Sequence, residues 1–134
     1  MTRVARVRGM SGRVVHFEVP FDDAERARAF YAEAFGWTFV DGLGRHYVNV
    51  QPGPVGDDGR PTEPGSINGG LMRRESPSDR TLITIEVDDI TAALAQVEAA
   101  GGQVVLPPQH VADYGKTAYV KDTEGNIVGV WEPA

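Results

Sequence analysis

One sequence pattern occurs twice in this chain of 134 residues, about half a chain apart. In its first copy, apolar and polar residues alternate over residues 14–19, as they do in a strand with two different faces. Asp22 and Glu25 then resemble a helix-capping pair, and apolar residues follow at helical spacing until Gly36. This copy predicts a strand and a helix that packs on one face of it.

The second copy begins with the same alternation over residues 82–87. Asp88 and Asp89 stand where a helix cap is expected, and an apolar stripe precedes Gly101-Gly102. Because duplicated units usually form a site where their corresponding faces meet, the repeat also predicts where a ligand binds.

Three short strand candidates follow each helix, so we expect an α+β protein of two βαβββ modules. The predicted strands cover residues 37–40, 46–50 and 67–72 in the first module, with a turn at 41–44, and residues 104–106, 117–121 and 126–132 in the second. Pro107-Pro108 is expected to break the chain between two of these strands. Residues 51–66, rich in proline and glycine, are expected to form a long loop. This loop is either a lid over a ligand site or an ordinary flexible surface loop.

The composition is that of an ordinary globular protein, with 41% hydrophobic residues and no apolar run near the roughly 18 residues of a membrane span. A net charge of −6 argues against nucleic acid as a partner, because phosphate binding needs a basic surface. No cysteine is present, which excludes thiolate chemistry and suits a cytoplasmic protein.

The first residues carry arginines but lack the apolar block of a secretory signal. We therefore expect a flexible tail over residues 1–12 and a single domain over residues 13–134. Within that domain, module one is expected to span about residues 13–73 and module two about residues 80–133.

Several short motifs, taken in order, resemble those of the vicinal oxygen chelate superfamily, which holds glyoxalase I, bleomycin-resistance proteins and extradiol dioxygenases. They are His16-Phe17-Glu18-Val19 before Asp23-x-x-Arg26-x-x-x-Phe30-Tyr31, then Phe35-Gly36-Trp37, Glu86-Val87-Asp88-Asp89 and Lys121-Asp122-x-x-Gly125-Asn126. Asn68-Gly69-Gly70-Leu71-Met72 further resembles a small bacterial glyoxalase-like branch. The resemblance implies that the modules form a curved mixed-sheet cup with the helices outside, and that the protein is a homodimer.

In the metal-using members, four ligands come from the first and last strand of each module. The resemblance places these positions at His16, at or beside Leu82, near residues 68–70, and at Gly129. Leu82 and Gly129 have no ligating side chain, and a lone imidazole has too little affinity to retain a divalent metal. We therefore expect an incomplete metal site with His16 as its only retained ligand. No cofactor is assigned, and a divalent metal stays an open alternative.

Three polar residues on the repeated strands are candidates for catalysis. His16 is either a general base or a histidine hydrogen-bonded in a partly polar interior. Glu18 and Glu86 occupy matching places in the two repeats and point the same way as His16 by the strand period. They act either as acid/base groups or as ion-pair partners of nearby arginines.

Further residues are predicted to contact a ligand. The amide of Asn68 offers two donors and an acceptor, and the glycines after it allow close approach. Trp131 is expected to face the cup together with Gly129, whereas Trp37 is expected to pack in the core. The predicted ligand-binding residues are Asn68, Met72, Leu82, Thr84, Tyr114, Tyr119 and Trp131.

These observations leave three functions open. The first is a glyoxalase-like protein that binds a small organic molecule and catalyses a metal-independent lyase or isomerase reaction. The second is a non-catalytic protein of the bleomycin-resistance type that sequesters a drug, which the acidic charge and Trp131 favour. The third is a metalloenzyme in which His46 or His110 replaces the lost ligands.

Overall fold

The computed structural model describes residues 12–41, 47–76 and 79–134. These residues form two compact units: residues 15–83, and residues 84–134 together with residues 12–14. His46, most of the predicted turn at residues 41–44, and the predicted tail apart from Gly12 lie outside the described residues.

Module one contains a strand, a helix and three further strands, as the first repeat predicts. Its elements are β1 (Val14–Phe21), α1 (Ala24–Phe35), β2 (Thr38–Asp41), β3 (Tyr47–Gln51) and β4 (Asn68–Arg73). The strands lie in the order β2-β3-β4-β1. β1 is parallel to β4, and the other two pairs are antiparallel. The first and last strands of the module are therefore neighbours.

Helix α1 has a defined signal at each end. The extended Asp23 is its N-cap, because a side-chain oxygen of Asp23 accepts a hydrogen bond from the Arg26 amide at 3.0 Å. The capping pair predicted for Asp22 and Glu25 is thus wrong by one residue. Gly36 ends the helix in the left-handed conformation at φ 74°, which confirms the predicted helix end.

A hydrophobic core joins α1 to one face of the module-one sheet. Val50 and Leu71 are fully buried in it, and Phe17 of β1 packs against them. Trp37 also packs there, with its ring stacked on Tyr31 at 4.5 Å between centroids. The expectation that Trp37 is a core residue at the helix end is confirmed.

Module two repeats the same order of elements. They are β5 (Leu82–Glu86), α2 (Ile90–Ala99), β6 (Gln103–Val111), β7 (Gly115–Lys121) and β8 (Ile127–Pro133). The strands lie in the order β5-β8-β7-β6, with β5 parallel to β8. Asp89 caps α2 through the Ala92 amide at 3.0 Å, and Ile90 and Ala118 lie in the core beneath the helix. Within the described residues, no helix is long and apolar enough to cross a membrane.

The break predicted at Pro107-Pro108 is wrong. Strand β6 runs through both prolines, and its pairing with β7 shifts register between Leu106 and Gln109. Proline cannot donate a hydrogen bond to a ladder, so it is tolerated at bulges and on outer strands. β6 is the outer strand of its module and bulges where the prolines lie, which explains why the strand continues.

The segment between β3 and β4 is a loop, as its proline and glycine content predicts. Over residues 52–67 its backbone forms one isolated bridge, between Val55 and Pro61. Further hydrogen bonds, from Gly56 to the Arg60 carbonyl and from Thr62 to the Pro54 carbonyl, fold the loop back on itself.

Candidate functional site

The polar side chains of module one gather on the sheet face opposite α1. On β1, His16 and Glu18 alternate with Phe17, whose side chain belongs to the α1 core. The register of β1 with β4 places Asn68 beside His16 and Gly70 beside Glu18. Because residues opposite one another on neighbouring strands share a face, His16, Glu18 and Asn68 lie on one surface.

Tyr47 of β3 also belongs to this surface, and sequence reasoning missed it. Its Oη lies 2.6 Å from His16 Nε2, and the two rings are nearly parallel, with 9° between their planes. One signal was present in the sequence, since Tyr47 alternates with the apolar Val48 and Val50 and therefore faces away from the core.

Gly70 makes the contact between Tyr47 and His16 possible. Strand β4 lies between β3 and β1, so the tyrosine must cross β4 to reach the imidazole. A Cβ built on Gly70 would overlap the Tyr47 ring at Cζ and Oη. The phenol therefore rests directly on the backbone at Gly70, in space that any other side chain would fill.

Burial keeps the His16 imidazole neutral. It lowers the pKa of His16 below the usual 6.5, and the negative charge of Glu18 opposes this effect in part. A neutral imidazole has one protonated nitrogen and one that accepts. Across the 2.6 Å contact, either Nε2 accepts the phenol proton or it donates to Oη. The pair can therefore pass a proton between the two rings.

Glu18 is positioned to respond to a charge on His16. Glu18 is buried, with 5% of its surface exposed, and it follows His16 by one strand period on the same face. A buried carboxylate favours a positive charge nearby. Glu18 would thus stabilise the imidazolium that forms whenever His16 accepts a proton.

Asn68 is held in one orientation. Its Nδ2 donates a hydrogen bond to the Gly59 carbonyl at 2.9 Å, which links β4 to the loop before it. Its Oδ1 is buried and has no hydrogen-bond partner in the part of the chain that the structure describes.

Module two has a corresponding polar face. Register places Thr84 and Tyr119 beside Gly129, and Glu86 beside Trp131. The space above Gly129 is occupied by Thr84, whose Oγ1 would lie 2.6 Å from a Cβ at that position. Gly129 is therefore covered by a neighbouring side chain of its own module.

The indole of Trp131 lies against the backbone of Gly115. A Cβ built on Gly115 would lie 2.8 Å from Cζ2 of the indole. Trp131 is half-buried and Thr117 stands opposite it on β7. The indole therefore packs against strand β7.

The remaining predicted site residues are an ion-paired glutamate, an exposed tyrosine and two half-buried apolar residues. Glu86 forms an ion pair with Arg13 at 2.9 Å, which is the ion-pair alternative considered from the sequence. Tyr114 is 63% exposed in the turn before β7. Met72 and Leu82 are half-buried, and Met72 lies beside Tyr47 in the register of β4 with β3.

The side chains present do not fit the metal that the family resemblance implies. Within the described residues, no group of three or more His, Asp or Glu side chains is placed to hold an ion. Nε2 of His16 is already in a hydrogen bond, Asn68 supplies only an amide, and Leu82 and Gly129 offer no donor atom. His110, proposed as a replacement ligand, is exposed near the end of β6.

Comparison with known proteins gives consistent matches. Residues 13–130 match the model of the Glyoxalase/Bleomycin resistance protein/Dioxygenase superfamily. A glyoxylase-like domain-containing protein of Didymella fabae is 30% identical over 125 residues, which cover 87% of this chain and 91% of that protein.

Two bacterial relatives are much longer than this chain. The candidate glyoxylase CFP32 of Mycobacterium tuberculosis is 30% identical over a match that covers 82% of this chain and 41% of the relative. The anthracycline biosynthesis protein DnrV of Streptomyces peucetius is 27% identical, over 98% of this chain and 49% of the relative. The chain spans less than half the length of these two proteins.

Solved structures share the fold. A methylmalonyl-CoA epimerase from Mycobacterium tuberculosis has a TM-score of 0.67 at 15% identity, covering 98% of this chain and 93% of the epimerase. A superfamily member from Vibrio splendidus has a TM-score of 0.61 at 17% identity, covering 91% of this chain and 99% of that one. The predicted α+β class with two βαβββ modules is confirmed.

Proposed function

Because the chain belongs to the Glyoxalase/Bleomycin resistance protein/Dioxygenase superfamily, we propose that it binds a small organic molecule on the polar face of module one and moves a proton there. The observation that carries this proposal is the 2.6 Å hydrogen bond between His16 and Tyr47. A neutral imidazole at pH 7 is a competent base, and its position beside a phenol suits an isomerase- or lyase-type reaction that begins at an acidic C–H.

The proposed step moves two protons, one from the substrate to Tyr47 and one from Tyr47 to His16. The Tyr47 oxygen takes a proton from a carbon next to a carbonyl group as the phenol proton passes to His16 Nε2. The substrate keeps the electron pair as an enolate, and the imidazolium is stabilised by the charge of Glu18. Reversal of both transfers returns a proton to the same carbon or to another one. Isomerisation or exchange with solvent follows.

Deuterium exchange tests this proposal without knowledge of the natural substrate. Small ketones such as 4-hydroxybutan-2-one are incubated with the protein in D₂O, and loss of the signals next to the carbonyl is followed by proton NMR. We expect exchange above the rate in buffer alone, with saturation as the ketone concentration rises. Exchange no faster than that with an equal concentration of free imidazole contradicts the proposal.

The exchange rate should depend on pH through His16. Only the neutral imidazole accepts a proton, and the pKa of His16 lies below 6.5 because of burial. The rate is therefore expected to be level at pH 7 and to fall as pH drops, with its midpoint below 6.5. A pH profile of the NMR exchange rate measures this, and an acid-side midpoint at or above 6.5 would argue against His16 as the base.

A second candidate function is drug sequestration without turnover. Trp131 favours it, because the half-buried indole is supported by the Gly115 backbone and offers a surface on which a planar group can stack. The net charge of −6 favours a cationic compound. The similarity to an anthracycline biosynthesis protein is compatible with an aromatic ligand.

Fluorescence titration with bleomycin, a cationic glycopeptide, tests this second candidate. If it is correct, we expect quenching in wild type and in Trp37→Phe but not in Trp131→Phe, because Trp37 is packed against Tyr31 in the core. The antibiotic should be recovered unchanged. An unchanged fluorescence signal up to millimolar bleomycin excludes this kind of ligand.

A further inference from the structure

One side of helix α1 is open to solvent. None of its 12 residues is fully buried by the described chain, whereas α2 buries Ile90, Ala93 and Leu94. Exposed residues at helical spacing form the open side, which we call the outer face of α1: Arg26, Ala29, Phe30 and Glu33. The Phe30 ring lies near the middle of this face and is 57% exposed. Because removing such a ring from water is favourable, a partner of matching shape and charge would be stabilised here.

The two charged residues of the outer face have no partner in the part of the chain that the structure describes. Neither the Arg26 nor the Glu33 side chain forms an ion pair or a hydrogen bond there. Their positions differ by seven residues, which is nearly two helical turns and a rise of about 10 Å, so they point the same way but are too far apart to pair with each other. The face therefore carries a positive charge at one end and a negative charge at the other.

A second helix of the same sequence complements this pattern when it lies antiparallel. A two-fold axis that passes midway between Ala29 and Phe30 brings Arg26 of each copy level with Glu33 of the other, because Arg26 and Glu33 are equally far from that midpoint. Both ion pairs then form together. Near the axis, the two Phe30 rings meet on one flank, and the small Ala29 side chains on the other flank let the helices approach closely.

We infer that the outer face of α1 is a contact surface between two copies of this chain, paired antiparallel through α1. The face selects a copy of itself because its charges and its aromatic ring are self-complementary. A helix of about 18 Å buries less on one face than the roughly 1,200 Å² of a stable interface, so monomer and dimer exchange. The inference is independent of the proposed function, because His16 and Tyr47 lie on the sheet face opposite α1.

Charge reversal tests the inference. Arg26→Glu and Glu33→Arg each set like charges opposite one another at both contacts, so each should raise the dissociation constant of the dimer by about tenfold or more. Sedimentation velocity from micromolar to millimolar protein measures this constant. Each substitution also suits the helix dipole, with a negative charge in the first turn or a positive charge in the last, so α1 should stay folded.

A mixture of the two single variants gives the sharpest result. In a mixed dimer of Arg26→Glu with Glu33→Arg, both contacts again join opposite charges, so the equimolar mixture should associate as wild type does. The double variant should do the same on its own. Phe30→Ala should weaken association by removing the rings beside the axis. Glu98→Arg, which reverses an exposed charge on α2, is the matched control and should dimerise like wild type.

Three results would overturn the inference. A wild-type protein that stays monomeric at millimolar concentration leaves the outer face to a partner of another kind. A dimer that survives in both single variants joins its copies through another surface. A mixture of the variants that associates no better than either variant alone shows that the two charges do not face each other. None of these results changes the ketone exchange expected on the polar face, which tests the proposed function separately.

Discussion

His16→Ala is expected to lower the rate of ketone deuterium exchange by about 10²–10⁴-fold, the usual contribution of a positioned general base. The alanine removes the imidazole that lies 2.6 Å from the Tyr47 oxygen and that accepts its proton in the proposed step. Proton NMR in D₂O measures the loss directly. Circular dichroism should show a folded protein, because His16 is only half-buried and lies outside the hydrophobic core.

His110→Ala is the matched control for that experiment. His110 is exposed near the end of β6, and its removal should leave the exchange rate as in wild type. If His16→Ala exchanges at the wild-type rate, His16 is not the base. If His110→Ala instead loses exchange, the alternative with relocated metal ligands gains support, and elemental analysis of protein purified without chelators becomes the decisive measurement.

Gly70→Ala is expected to lower the exchange rate by on the order of 10²-fold with little loss of stability. The new methyl group would overlap the end of the Tyr47 ring, so the tyrosine must swing away from His16. A displacement of about 1 Å at a reacting group can cost that much in rate. The atoms that must move are the far end of a half-buried side chain, so the fold can adapt.

Gly69→Ala provides the contrast, because adjacent strand residues face opposite sides of the sheet. A Cβ at Gly69 would lie 2.5 Å from the Phe17 ring, which is part of the α1 core. Overpacking of this kind typically costs about 1–3 kcal/mol of stability. Urea unfolding should therefore show the larger loss in Gly69→Ala, and NMR exchange the larger loss in Gly70→Ala. The reverse order would show that the two glycines have been assigned to the wrong faces.

Much of the fold could be predicted because its signals are local. Alternation over residues 14–19 and 82–87 marked β1 and β5, and left-handed Gly36 marked the end of α1. The strand through Pro107-Pro108 could not be predicted in this way. Whether proline is tolerated depends on β6 being an outer strand with a bulge, and sheet order is a non-local property.

The candidate site could be predicted only in part from the sequence, because some of the contacts that form it join residues on non-adjacent strands. Strand period put His16 and Glu18 among the polar candidates, the family resemblance and the amide chemistry of its side chain added Asn68, and the register of β1 with β4 places all three on one face. Tyr47 was missed because its partner lies two strands away across Gly70, a distance that no spacing in the sequence encodes. The ion pair of Glu86 with Arg13 likewise joins segments far apart in the chain.

The prolines of β6 have a consequence for how the protein behaves in concentrated solution. The unpaired backbone N–H and C=O groups of an edge strand can pair with a strand of another polypeptide, which leads to aggregation. Successive residues of a strand point their amides in alternate directions, so one of Pro107 and Pro108 removes a donor from the outward side of β6. The bulge beside them further interrupts the margin, which makes this flank of module two a poor seed for fibril growth.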